Sequence, residues 1–226
     1  MLVNPNPKQL TCRQLAQDLY RNYVRLFNNS DADNTKTGGD TQKAERSQTG
    51  LFTLLLEDKG FVSDITYKQA SSQKPYDFRV LCDTSISPEE FRHMRHLVNR
   101  GDVDQVDLRS SLLLVEMKKT QSGTFILNDT LPNKNAWYIM FYNKKRTKKD
   151  NKKYMYLIKG SALKDAINLK HAGRFTSVDD YMKDIQALKE KYPHHPRPNL
   201  SVTVSAINEV ASWGGKYSTN CIKRAI

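Results

Sequence analysis

Apolar and polar positions divide the chain into helical and extended stretches. Between residues 8 and 28, Leu10, Leu15, Leu19, Tyr23 and Leu26 recur at spacings of three to five, which predicts an amphipathic helix. Residues 29–43 are polar and contain Gly38-Gly39, so a loop is expected. A second helix follows over 44–59, with Gly60 placed as its C-terminal stop. Residues 61–82 read as two extended runs around a polar break, and Pro75 disfavours helix there. Ser87-Pro88-Glu89-Glu90 is a helix start with Pro at the first helical position, and that helix should reach about Asn99.

The second half begins strand-rich. Strands are expected within 105–117 and over 123–127, 136–142 and 154–159, then helices over 161–170 and 177–191, then a last strand over 200–207. Continuous apolar runs such as 112–115 and 137–142 suit strands buried on both faces. The pattern predicts an α/β fold, a central mixed β-sheet flanked by helices. One domain over 1–226 is expected, with N-terminal helices at 8–59, a core at about 60–160 and a helical and strand region at 161–226.

Charge adds a partner class. Lys and Arg number 36 against 24 Asp and Glu, a net charge of +12, which points to a polyanion. No apolar run is long enough to span a membrane, and residues 1–30 lack the apolar core of a signal peptide, so a cytoplasmic location is expected. Cys12, Cys82 and Cys221 are far apart, odd in number and without metal-ligand spacing, which predicts three reduced thiols.

The stretch Ser111-Ser-Leu-Leu-Leu-Val-Glu-Met-Lys-Lys-Thr120 carries the candidate chemistry. In a strand, Glu116 and Lys118 share one face while Val115 and Met117 take the other. An acid at the end of a core strand is costly to bury alone. A second extended run, Pro75-Tyr76-Asp77-Phe78-Arg79-Val80-Leu81, offers another acid near its start. Two carboxylates on adjacent strands make a hard-oxygen site for Mg²⁺. A nearby lysine can orient an attacking water and offset charge on a phosphate. Asp107, nine positions before Glu116, is the rival first acid, while Asp77 lies 39 positions before it.

Pro75-Tyr76-Asp77 and Glu116-Met117-Lys118, with the apolar residues ahead of Glu116, resemble the motif of the PD-(D/E)xK nucleases, the fold of many type II restriction endonucleases. The resemblance implies a Mg²⁺-dependent endonuclease acting on double-stranded DNA. Asp77 and Glu116 would bind metal and Lys118 would assist the nucleophilic water. It also implies an accessory glutamate on the preceding helix, for which Glu45 is the candidate. Lys119, Thr120, Gln121 and Ser122 would lie beside the DNA cleft, and Asn128 falls in a segment found after the catalytic strand in some restriction enzymes. A homodimer would match a short palindrome.

Lys144, Lys145, Arg146, Lys148 and Lys149 lie within the run 143–153 between two strand candidates. This is expected to be a hairpin tip that clamps phosphates without reading sequence. The chain has no Walker A, GxSxG, HExxH or dinucleotide fingerprint. Two alternatives remain open: a structure-specific repair or junction nuclease of the same fold, and a non-catalytic basic nucleic-acid-binding protein.

Overall fold

The structure, a computed structural model, describes residues 11–30, 41–69, 76–83, 85–100, 111–127, 132–147, 150–192, 200–215 and 220–225. The class is α/β, as the residue pattern predicts. Strands β1 (Tyr67–Gln69), β2 (Phe78–Leu81), β3 (Leu112–Thr120), β5 (Trp137–Thr147), β6 (Asp150–Lys159) and β8 (Cys221–Ala225) form a six-stranded sheet in the order β1-β2-β3-β5-β6-β8. Strands β4 (Thr124–Leu127) and β7 (Leu200–Thr203) form a separate antiparallel pair. The helices are α1 (Cys12–Asn28), α2 (Thr41–Asp58), α3 (Pro88–Arg100), α4 (Gly160–Lys170), α5 (Val178–Lys191) and α6 (Val204–Ser212). Two compact units divide at Met117/Lys118 and are described in turn.

In the first unit, α1 starts at Cys12 because Thr11 and Gln14 form a capping box. Its buried face is Leu15, Ala16, Leu19, Tyr20, Tyr23, Val24 and Phe27. Leu26, expected on that face, is exposed instead, since Phe27 takes the inward position. Helix α2 stops where Gly60 turns to φ +83°, and the Phe61 N–H then donates to the Leu56 carbonyl. The Phe52 ring of α2 packs on Phe78 of β2 at 4.6 Å between centroids and on Tyr23 of α1 at 5.7 Å. Burying a ring of that size contributes about 1.5–3 kcal/mol. Helix α3 is capped reciprocally by Ser87 and Glu90.

The cysteines depart from expectation. Cys12 and Cys82 are joined as a disulfide, with Cα atoms 5.5 Å apart across 70 positions of sequence. Spacing in sequence gives no sign of this, because α1 and the end of β2 meet only after the chain has folded back. Cys221 is a free, buried thiol, and burial pushes its pKa up to about 12.

In the second unit, β5 and β6 form one long hairpin. The cationic run 143–153 is largely paired strand rather than loop: Lys144 faces Lys152, Lys145 faces Asn151, and a bulge separates Lys145 from Thr147. The expected strand over 200–207 is also revised. It ends at Thr203, whose hydroxyl accepts the Ala206 N–H and opens α6. Val202, Val204 and Ala206 mimic strand alternation, but Ala206, Ile207 and Val210 are the buried residues of a helical face. The short strand β8 escapes sequence reading because three of its five residues are exposed and two are cationic.

Gly160 marks the β6–α4 junction. A Cβ added there would sit 1.7 Å from the Asn133 carbonyl oxygen, and the Gly160 N–H is held by the Ala136 carbonyl at 2.8 Å. Neither neighbour is a flexible side-chain end. Gly160→Ala is therefore expected to lower stability by about 2–4 kcal/mol, in the range of severe overpacking. Thermal unfolding of the variant checks this, and a melting temperature within a degree of wild type would contradict it.

Candidate active site

Strand β2 pairs with β3 antiparallel, with Phe78 opposite Val115, Arg79 opposite Leu114 and Val80 opposite Leu113. Phe78, Val80, Leu113 and Val115 therefore share one face, the face that Phe52 covers. Glu116 lies on the other. It is 4% exposed, so the strand does not emerge into solvent at this acid.

Asp77 stands one residue before β2. The backbone turns sharply to bring it in, because Tyr76, a buried non-glycine residue, sits at φ +63°. Such a conformation costs an L-residue about 1–2 kcal/mol. Its result is visible in one hydrogen bond: the Met117 N–H donates to Asp77 Oδ2 at 2.6 Å. That amide is the one joining Glu116 to Met117. The Asp77 carboxylate is thereby fixed against the peptide that follows Glu116 on β3. Lys118 is half-buried, two residues beyond Glu116 on the same strand. Burial first, and then the Asp77 charge, push the hydroxyl of Tyr23 on α1 above its usual pKa.

Sequence reasoning overlooked Arg79. It is 2% exposed, two residues beyond Asp77, and diagonal across the ladder from Glu116. Burial first, then the Arg95 charge from α3, draws its pKa down, while Tyr76, Glu116 and Asp77 act in the opposite sense. A guanidinium stays protonated under such a shift. Arg79 therefore places a cation in the field of both acids, offsetting part of the cost of burying Glu116. Its even spacing from Asp77 was the available signal, masked by the apolar residues around it.

Gln48 is a buried polar residue of α2. It lies one turn before Phe52 and is 4% exposed, and its Nε2 has no hydrogen-bond partner among the described residues. A buried amide donor left unmet costs about 1–3 kcal/mol. Glu45, the expected accessory acid, falls in the first turns of α2, where the backbone alone is described. Asp107, Pro75, Asn128, Lys148 and Lys149 lie outside the described residues, as do the side chains of Lys144, Lys145 and Arg146.

The segment after the site is better defined. Lys119 places its ammonium 5.4 Å from the centre of the Phe141 ring. Thr120 is buried and its hydroxyl donates to the Thr124 carbonyl at 2.8 Å, while Ser122 Oγ lies 3.2 Å from Thr120 Oγ1. Thr120 and Ser122 thus hold the turn into β4. Gln121 is half-buried and Ser122 is exposed.

Among the described residues, no three His, Cys, Asp or Glu side chains gather as a metal site. A pair of carboxylates nevertheless fits Mg²⁺, which keeps several waters and is commonly held by one or two carboxylates and the substrate's phosphate. Compared with protein families, curated proteins and solved structures, the chain has no match in any of the three.

Proposed function

We propose that this chain is a Mg²⁺-dependent endonuclease that hydrolyses phosphodiester bonds in double-stranded DNA in the manner of type II restriction enzymes. The hydrogen bond from the Met117 N–H to Asp77 supports the reading, because it ties the first acid to the peptide that follows Glu116. Asp77 and Glu116 would hold Mg²⁺, which when bound lowers the pKa of a water and polarises a phosphoryl oxygen. Lys118 orients the attacking water and offsets negative charge on the phosphate. Tyr76 and the Met117 amide fix the direction of the Asp77 carboxylate. Arg79 balances the two acids before substrate arrives.

Charge distribution supports the choice of partner. Residues 1–117 hold 15 Lys and Arg against 16 Asp and Glu, whereas residues 118–226 hold 21 against 8. The whole positive excess thus belongs to the second unit, a footprint suited to a phosphate backbone. No helix among the described residues is long and apolar enough to cross a membrane. A two-fold dimer would present two such sites to a palindrome.

The test is incubation of purified protein with a long plasmid in Mg²⁺ or in chelator. Discrete fragments in Mg²⁺ alone are expected. A smear, or nicks confined to branched sites, favours a structure-specific nuclease. Folded protein that binds DNA but leaves it uncut in Mg²⁺ and in Mn²⁺ would remove both enzyme readings.

A further inference from the structure

We propose that Tyr142, Tyr154 and Lys223, aligned across β5, β6 and β8, form a docking row for unpaired nucleobases. The row lies wholly within the second unit. Tyr142 and Tyr154 are direct cross-strand partners, with ring centroids 6.3 Å apart and planes inclined by 20°. Lys223 of β8 places its ammonium 4.5 Å from the Tyr154 ring centre and 5.9 Å from that of Tyr156. A cation and two stacked rings therefore run across three neighbouring strands.

Burial along the hairpin shows where the row begins. Tyr138, Met140, Tyr156 and Ile158 share this face and are fully buried. Tyr156 is the last of them, and its hydroxyl donates to Asn208 of α6 at 3.3 Å. One register step further out, Tyr142 and Tyr154 are half-buried, and the helix supplies them no hydrogen bond among those described. The next register step pairs Lys144 with Lys152. Along the hairpin the shared face thus passes from fully buried residues to the half-buried pair Tyr142 and Tyr154.

Single-stranded nucleic acid is bound by this combination, aromatic faces for successive bases and cations for the backbone. Lysine over a tyrosine face adds a cation–π contribution and places positive charge where a phosphate would pass. A closed duplex hides its base faces, so the row selects DNA with an unpaired segment: an overhang, a flap or a fork. The inference rests on the nuclease reading for the role of that DNA, but the binding itself needs no catalysis.

The experiment titrates the full chain, in EDTA, against a labelled oligonucleotide offered as a single strand and as a blunt duplex of the same sequence. Tyr142→Leu with Tyr154→Leu is expected to weaken single-strand binding about tenfold or more and to leave duplex binding within about twofold. Tyr142→Phe with Tyr154→Phe keeps the rings and is expected to bind as wild type. Equal losses for both forms of DNA, or no loss in a variant with wild-type melting temperature, would overturn the proposal. If the leucine pair does not fold, Tyr142→Leu alone replaces one half-buried ring and carries the same expectation. Plasmid cleavage in Mg²⁺ is scored separately. Binding by the row without cutting sinks the nuclease reading alone, and cutting with no selective loss sinks the row alone.

Discussion

Asp77→Asn and Glu116→Gln are each expected to reduce Mg²⁺-dependent cleavage about a thousandfold or more. Under the proposed reading each removes a charged oxygen ligand, and several kcal/mol of transition-state charge stabilisation would go with it. Lys118→Ala should cost about 10²–10³-fold, the scale of losing one electrostatic contact to the reacting phosphate. Binding of uncut DNA in chelator should persist in all three variants, because the cationic excess lies in residues 118–226. Asp77→Asn is the informative choice at that position, since an asparagine carbonyl can still accept the Met117 N–H. Loss of activity with an unchanged melting temperature then reports chemistry rather than folding. Should Asp107→Ala abolish cutting while Asp77→Asn leaves it intact, the first acid is Asp107 and the Asp77 hydrogen bond serves only the end of the β2–β3 ladder.

Replacing Cys12 and Cys82 together by serine is expected to lower stability by about 2–5 kcal/mol, the usual cost of removing a disulfide. The bridge spans 70 positions, a long loop whose closure restricts the unfolded chain strongly. For a chain of this size that corresponds to a fall of about 5–15 °C in melting temperature. The same difference should separate wild type with and without reductant. Thiol titration gives an independent reading. Denatured, unreduced protein should show one thiol, Cys221, and reduced protein three. In the folded state Cys221 should not react at neutral pH, since burial keeps it protonated. Three thiols before reduction would show that the pair is open in solution.

The bridge also bears on the site. Cys82 follows β2 directly, and β2 is the strand that leads out of Asp77, while Cys12 opens the helix that carries Tyr23. Opening it should therefore loosen the support of the first acid as well as the fold. A modest fall in cleavage below the melting temperature would be the sign of that coupling.

Local chemistry was legible where it acts over a few residues. Ser87 and Pro88 announced α3, Gly60 announced the end of α2, and Ser177 announced the start of α5, because caps and stops depend on neighbours three or four positions away. The two-residue period of β3 is equally plain, and it separates Glu116 from the face of Val115 and Met117. The 200–207 segment misled because Val202, Val204 and Ala206 fit either period. The choice fell to Thr203, whose capping bond to the Ala206 N–H starts a helix. The lysine run does lie in the hairpin expected between two strands, but the pairing of β5 with β6 extends through most of it, so the strands reach further than the apolar residues mark.

Taken alone, the sequence determined the α/β class, the placement of most helices and the pairing of Glu116 with Lys118 on one strand face. Each follows from periodicity and capping, which are local. Tertiary structure alone decided which residues meet across long separations. It brought the Asp77 carboxylate to the Met117 amide 40 positions away, buried Arg79 diagonally across the ladder from Glu116, and joined Cys12 to Cys82. These contacts depend on strand register and on the left-handed turn at Tyr76, and neither leaves a mark in the spacing of residues along the chain.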